Sequence, residues 1–169
     1  ILLLSDPTVE SMRIMLDAFE AGADDFLPRP SENLQMDPDV LSSCISEKVF
    51  SFTRQPVFPD RSAITKLEGK KIKTVPGTIS IIALGLGTGG TKAIMSIVPQ
   101  LPKRPRIACL AVLQAPPPFL PPLSAVLAER SPVEVHLARH HLDILPGRLI
   151  LASSAMQMGV IKCEDRYLV

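Results

Sequence analysis

The stretch IIALGLGTGG, residues 81–90, decides how this chain is read. An apolar run leaves through a glycine-rich turn and continues into TKAIMSIV, residues 91–98, which has helical spacing. Gly85, Gly87 and Gly90 stand at the G-x-G-x-x-G spacing of a dinucleotide-binding loop. Glycines there let the backbone approach a pyrophosphate, and the helix N-terminus offers unpaired N–H groups. That assignment also needs an acid about 20 residues on, at the end of the next strand, to hold the ribose. The next strand, IACLAVL at residues 107–113, runs instead into Gln114 and a proline-rich loop. No arginine stands there for a 2′-phosphate either. A second mechanism is a nucleophile elbow, a sharp strand-to-helix turn that lifts one side chain above the sheet beside an oxyanion site. Its apex falls on Gly87, which has no side chain.

Outward from the turn, the segment from Thr78 reads as an α/β unit. TISIIAL and IACLAVL are buried strands, LSAVLAER is a helix, and VEVHL and GRLILA are further strands. MGVIKC and YLV pair across the turn at Glu164-Asp165-Arg166. Upstream, the apolar run Ile1–Leu4 suits a buried strand. Asp6-Pro7 reads as an N-cap and first helical position. Met12, Met15, Leu16 and Phe19 then form a core face, and Gly22 closes the helix. DDFLPRP is a brief strand ended by proline. Asp37-Pro38 opens a second helix with the apolar face Leu41, Cys44, Ile45, Val49 and Phe52. Residues 54–77 carry Pro56, Pro59, Gly69, Pro76 and Gly77 without a sustained period, which marks a linker.

The chain has 169 residues, 46% of them hydrophobic, with mean hydropathy +0.26, enough to build a core. No apolar run reaches the ~20 residues of a spanning helix, and the opening ILLL lacks the flanks of a signal peptide. A cytoplasmic protein without membrane insertion is expected. Cys44, Cys109 and Cys163 are odd in number and widely spaced, and their apolar neighbours predict free buried thiols. The net charge is only +1. The first fifty residues are mostly acidic, and the next segment is basic through Arg54, Arg61, Lys66, Lys70, Lys71 and Lys73. With only Phe58 available to stack, that segment is expected to be a solvated linker and not a nucleic-acid site.

Several stretches in series resemble the chemotaxis protein-glutamate methylesterase (CheB) family, which joins a receiver domain to a serine methylesterase domain. LGLGTGGTKAI resembles the family's nucleophile turn, GASTGGT-x-A, through Gly85, Thr88, Gly89, Gly90, Thr91 and Ala93. Gly87 occupies the serine position. AVLQAPPPFL resembles VVQHMPPGF through Gln114, Pro116, Pro117 and Phe119, with Ala115 at the histidine position. ILPGRLILA resembles LxPGxxYxAP through Leu145, Pro146, Gly147 and Ala152. ILLLSD and GADDFLPRP resemble the last third of a receiver. The resemblance makes Ser5 the hydroxyl that senses phosphorylation, Phe26 the rotameric aromatic and Arg29 the replacement for a lysine that reaches the phosphoryl group.

The resemblance implies a fold and a division of the chain. Residues 1–53 are part of a flavodoxin-like receiver, 54–77 a linker, and 78–169 part of a Rossmann-like parallel-sheet methylesterase domain. The family hydrolyses γ-glutamyl methyl esters on chemoreceptors and deamidates certain glutamines, and its partners are chemoreceptors and a chemotaxis histidine kinase. In the family the unphosphorylated receiver packs against the esterase domain. An acidic first unit beside a basic segment favours such contact over a screening length of ~8 Å. The family's phospho-acceptor aspartate would precede Ile1 and its catalytic aspartate would follow Val169, so the chain reads as a central part or a decayed copy of the pattern.

Removing the serine or the histidine of a comparable triad costs on the order of a millionfold in turnover. With Gly87 and Ala115 at those positions, no intact catalytic residue and no esterase activity are expected. Thr88 and the turn's N–H groups remain as an oxyanion-like site. His136 and His140 are four apart, but on a strand that spacing does not converge, so no metal site and no cofactor are expected. Ser96 reads as a surface or packing residue, and Ser153-Ser154 as a turn where the family has Pro-Gly.

Overall fold

A computed structural model describes residues 1–30, 37–53, 80–103, 105–164 and 166–169. The described residues of 1–35 and 79–169 form one compact unit, and those of 36–78 form a second.

In the first unit, strand β1 (Leu2–Ser5), helix α1 (Val9–Glu20) and strand β2 (Asp25–Pro28) make a parallel β-α-β arrangement. The N-cap of α1 is Thr8, not Asp6: its hydroxyl accepts the Ser11 N–H at 3.1 Å. Asp6 is engaged elsewhere, forming an ion pair with Arg29. Gly22, at φ +106°, follows the helix end, where an L side chain would be strained.

The larger sheet is four-stranded and parallel, in the order β3-β4-β6-β5: β3 (Ser80–Leu86), β4 (Ile107–Leu113), β6 (Arg148–Ser153) and β5 (Glu134–Leu137). The connections between β3, β4 and β5 carry α3 (Gly90–Ile97) and α4 (Leu120–Arg130), as parallel pairing requires. The helix α4 begins inside the proline-rich loop. Pro121 and Pro122 sit in its first turn, where no intrahelical N–H is missed. The expected pairing at the end of the chain is present: β7 (Ile161–Cys163) and β8 (Arg166–Leu168) form an antiparallel hairpin.

Strand alternation divides the core. Cys109, Ala111 and Leu113 of β4 face the helices, in one cluster with Ile94, Met95, Phe119, Leu123 and Val126. Ala108 and Leu110 face the opposite side, against Leu142, Ile144 and Ile150. The apolar face of α1 joins the first cluster. Met12, Met15, Leu16 and Phe19 are buried there together with Phe26 of β2. Ion pairs Arg13–Glu129 and Arg130–Glu20 flank the packing of α1 on α4. The outer edge of β3 pairs with no strand among the described residues, and Ile82 and Ile97 are exposed beside it.

The second unit contains α2 (Pro38–Thr53), capped as expected by Asp37, whose carboxylate accepts the Asp39 N–H at 2.8 Å. None of its residues is buried: Leu41, Cys44 and Ile45 are half-buried, and Val49 and Phe52 are exposed. The three thiols are free, but only Cys109 is buried, with Cys44 half-buried and Cys163 exposed. The expectation of three buried thiols holds only at Cys109: Cys44 lies on α2, which buries none of its residues, and the exposed strand β7 carries Cys163. The segment read as a linker, residues 54–77, lies outside the described residues.

Candidate functional site

The glycine turn is built from both sides. β3 ends at Leu86, and the Gly90 N–H donates to the Gly87 carbonyl at 2.8 Å. Gly89 lies at φ 76° and ψ −3°, the values a type II turn requires at its third residue. At Gly90 a Cβ would come within 2.6 Å of the Leu86 Cβ, so only glycine lets α3 start so close to the strand. Gly87 differs. Its φ is not positive, and an added Cβ would meet only Gln114 Oε1, at 3.7 Å. The apex has room for a side chain and lacks one.

The loop after β4 lies against this turn. The Gln114 N–H donates to the Leu86 carbonyl at 2.8 Å, which ties position 114 to the end of β3. Ala115 is buried, and its carbonyl accepts the Ser153 hydroxyl at 2.6 Å. Ser153 also accepts the Ala155 N–H at 3.2 Å. Thus Ser153 ends β6 fully buried and pins the backbone of 115, while Ser154 alone enters the turn. Thr88 and Gly87 are exposed at the apex. The turn positions Gly87 and Thr88 and the loop positions Gln114 and Ala115 carry no serine, cysteine or histidine.

Asp25 also reaches the turn, and sequence reasoning gave no sign of it. This carboxylate is 2% exposed. Its Oδ2 accepts the Gly89 N–H at 3.1 Å, and Oδ1 accepts the Phe26 N–H at 2.8 Å. A negative charge at the start of α3 is favourable because the first N–H groups there are unpaired. The same position is where a dinucleotide pyrophosphate would sit, and a protein carboxylate already holds one of its donors. Nearby, Lys92 Nζ donates to the Ala23 carbonyl at 2.6 Å.

The other expected site residues are dispersed. Ser5 ends β1, half-buried, with its hydroxyl 3.5 Å from the Asp6 carbonyl. Phe26 is packed on Phe119 with ring centroids 5.0 Å apart and a tilt of 39°. Arg29 is exposed and paired with Asp6, which raises its already high pKa. His136 lies beside Glu134 at 3.2 Å, whereas His140 and His141 sit in the exposed turn after β5. The Glu134 carboxyl is held below its usual range by His136 first and Arg148 second. Burial raises the Cys109 thiol. Among the described residues, no cluster of His, Cys, Asp or Glu could hold a metal ion. None of the described helices is long and apolar enough to cross a membrane.

The family model described as CheB methylesterase matches residues 82–167, the span that contains both the turn and the loop against it. The chain is 28% identical, over 94% of its length, to the protein-glutamate methylesterase/protein-glutamine glutaminase of Desulfotalea psychrophila. It is 25% identical, over 98% of its length, to the protein of the same name from Bacillus subtilis. It covers 48% and 49% of those two proteins, so it spans about half the length of the curated relatives it matches. The crystal structure of the Thermotoga maritima CheB methylesterase catalytic domain superposes with a TM-score of 0.51 at 25% identity. That match covers 54% of this chain and 48% of that one. With a strand–turn–helix and a parallel α/β sheet of that kind, and a family match over half its length, this chain belongs to the CheB methylesterase family.

Proposed function

We propose that this chain is a catalytically silent methylesterase homologue that acts as a signalling or scaffold module of a chemosensory pathway. On this reading residues 1–53 are receiver-derived, 54–77 a linker, and 78–169 the esterase-like part. It works in the cytoplasm, and its partners are chemoreceptors and a chemotaxis histidine kinase. Ser5, Phe26 and Arg29 are the remnants of the receiver switch. The observation that carries the proposal is the apex at Gly87. The Gly90 N–H closes the turn on the Gly87 carbonyl, Asp25 takes the Gly89 N–H, and space for a side chain is present at Gly87, yet no nucleophile occupies it. Ala115 leaves the adjoining position without a base. An ester carbonyl placed over Thr88 would therefore find hydrogen-bond donors but nothing to attack it, and donors alone leave most of the barrier in place.

The test is methanol release from methylated chemoreceptors. Background release by the unaltered chain supports the proposal, and release at the rate of an active relative refutes it. Binding of the same receptors, measured by pull-down against an unrelated helical protein, probes the scaffold role. A dinucleotide-binding role is disfavoured by Asp25 on the Gly89 N–H and by the uncharged end of β4. Titration with NAD(H) and NADP(H) is expected to show no saturable binding.

A further inference from the structure

A cleft lies outside the glycine turn. Arg139, His140 and His141 follow β5 directly and line a cleft of about 510 Å³ together with Met156, Met158 and Ile161. The Ala138 N–H donates to the Leu151 carbonyl, so the cleft opens at the carboxyl ends of β5 and β6. Ligands of open parallel sheets bind beyond those ends. The volume falls in the range of small-molecule sites, and the lining has their character: mostly apolar surface with a few polar groups.

The side chains that line the cleft carry no negative charge. Arg13, Arg29, Arg130, Arg148 and Arg166 each face a carboxylate. Arg139 faces none among the described residues, and no acidic side chain lines the cleft. His140 and His141 stand side by side, with ring centroids 6.5 Å apart. His141 is held at φ 61°, an uncommon conformation for a side-chain-bearing residue, while its N–H donates to the Val169 carbonyl at 3.0 Å. This backbone turn brings Arg139, His140 and His141 into the lining of the cleft. The lining also includes Met156, Met158 and Ile161, and methionine adapts to ligands of varied shape.

We propose that this cleft binds a small amphiphilic anion, with a phosphate or carboxylate head on Arg139 and the two imidazoles and an apolar body over Met156, Met158 and Ile161. The site is independent of the silent turn. It needs none of Gly87, Gln114 or Ala115.

The test is an NMR titration of the whole chain with inorganic phosphate, phenyl phosphate and phenylacetate. Saturable amide shifts confined to residues 138–141 and 156–161 are expected with the two aromatic probes. Phenyl phosphate is expected to bind about tenfold more tightly than inorganic phosphate, because its ring buries apolar surface. The tighter of the two aromatic probes identifies the head group as phosphate or carboxylate. Arg139→Gln is expected to weaken binding about tenfold by removing a charge-assisted hydrogen bond. His141→Asn, which keeps a residue tolerant of positive φ, should also weaken it. Both side chains are exposed, so these variants should keep the fold. Failure to saturate in the millimolar range, shifts elsewhere, no gain from the ring, or undiminished binding by Arg139→Gln would each overturn the proposal.

Discussion

Asp25 holds the Gly89 N–H through its Oδ2 at 3.1 Å, although the two residues are 64 positions apart. The first segment of the chain thereby supplies the negative charge that the start of α3 attracts. Asp25→Asn keeps the shape but removes that charge, and is expected to lower stability by about 1–2 kcal/mol. Urea unfolding followed by circular dichroism measures it. An unchanged midpoint would show that the charge contributes nothing.

The two glycines of the turn should differ in their tolerance of a side chain. Gly87→Ser meets only Gln114 at an ordinary distance and is expected to change stability by less than about 0.5 kcal/mol. Gly90→Ala drives a methyl into Leu86, at 2.6 Å, and is expected to cost about 1–3 kcal/mol. Thermal melts of the two variants distinguish them, and equal losses would contradict the geometry of the turn.

Phe26 and Phe119 come from segments that are distant in sequence, yet their rings pack 5.0 Å apart. Truncating either to alanine is expected to cost about 3–5 kcal/mol. A double-mutant cycle should return a coupling of about 0.5–1.5 kcal/mol. Additive losses would mean that the rings do not share one packing environment.

The thiols should separate by reactivity. Cys163 is exposed, whereas Cys109 is buried with its pKa raised by desolvation. Since the thiolate is the reactive form, iodoacetamide should label Cys163 in the native protein and Cys109 only after unfolding. Mass spectrometry of the labelled peptides reads this directly, and early labelling of Cys109 would exclude the helix-covered sheet.

Glu134 gives a pH dependence with a definite sign. Its folded pKa is depressed by His136 and Arg148, so folding favours the ionised carboxylate. The contribution is present above the unfolded value and is lost as pH falls through the folded one. The stability difference between the unaltered chain and Glu134→Gln should therefore narrow as pH drops from neutral through the carboxylate range. A difference that is constant with pH would remove the ion pair from the account.

The strands flanking the turn are legible in sequence because TISIIAL and IACLAVL are uncharged and unbroken apolar runs; β4 is buried as such a run predicts, whereas the edge strand β3 leaves Ile82 exposed. The helical face of α1 is equally plain from Met12, Met15, Leu16 and Phe19. Its cap is not, because the Asp6 side chain is taken by Arg29, 23 residues away, and local pattern cannot reveal such a partner. Cys163 follows Ile161 and looks internal, but the short hairpin β7–β8 leaves that strand in solvent. At the site, the missing side chains at Gly87 and Ala115 can be read directly from aligned motifs. The acid that reaches the turn cannot, since Asp25 is brought there only by packing of α1 and β2. Ser153 reads as a turn residue, and its buried hydrogen bond to Ala115 becomes visible only once β6 lies beside β4.

The shared core of α1, β2, α3 and α4 has a consequence for the chain as a covalent object. Residues 1–30 and 80–169 are joined by peptide bonds through the intervening segment, but they are also joined by Met12, Met15, Phe19 and Phe26 packed among Ile94, Met95 and Phe119. A single cleavage between residues 54 and 79 would leave two polypeptides that still elute as one species. They would part only when that core melts.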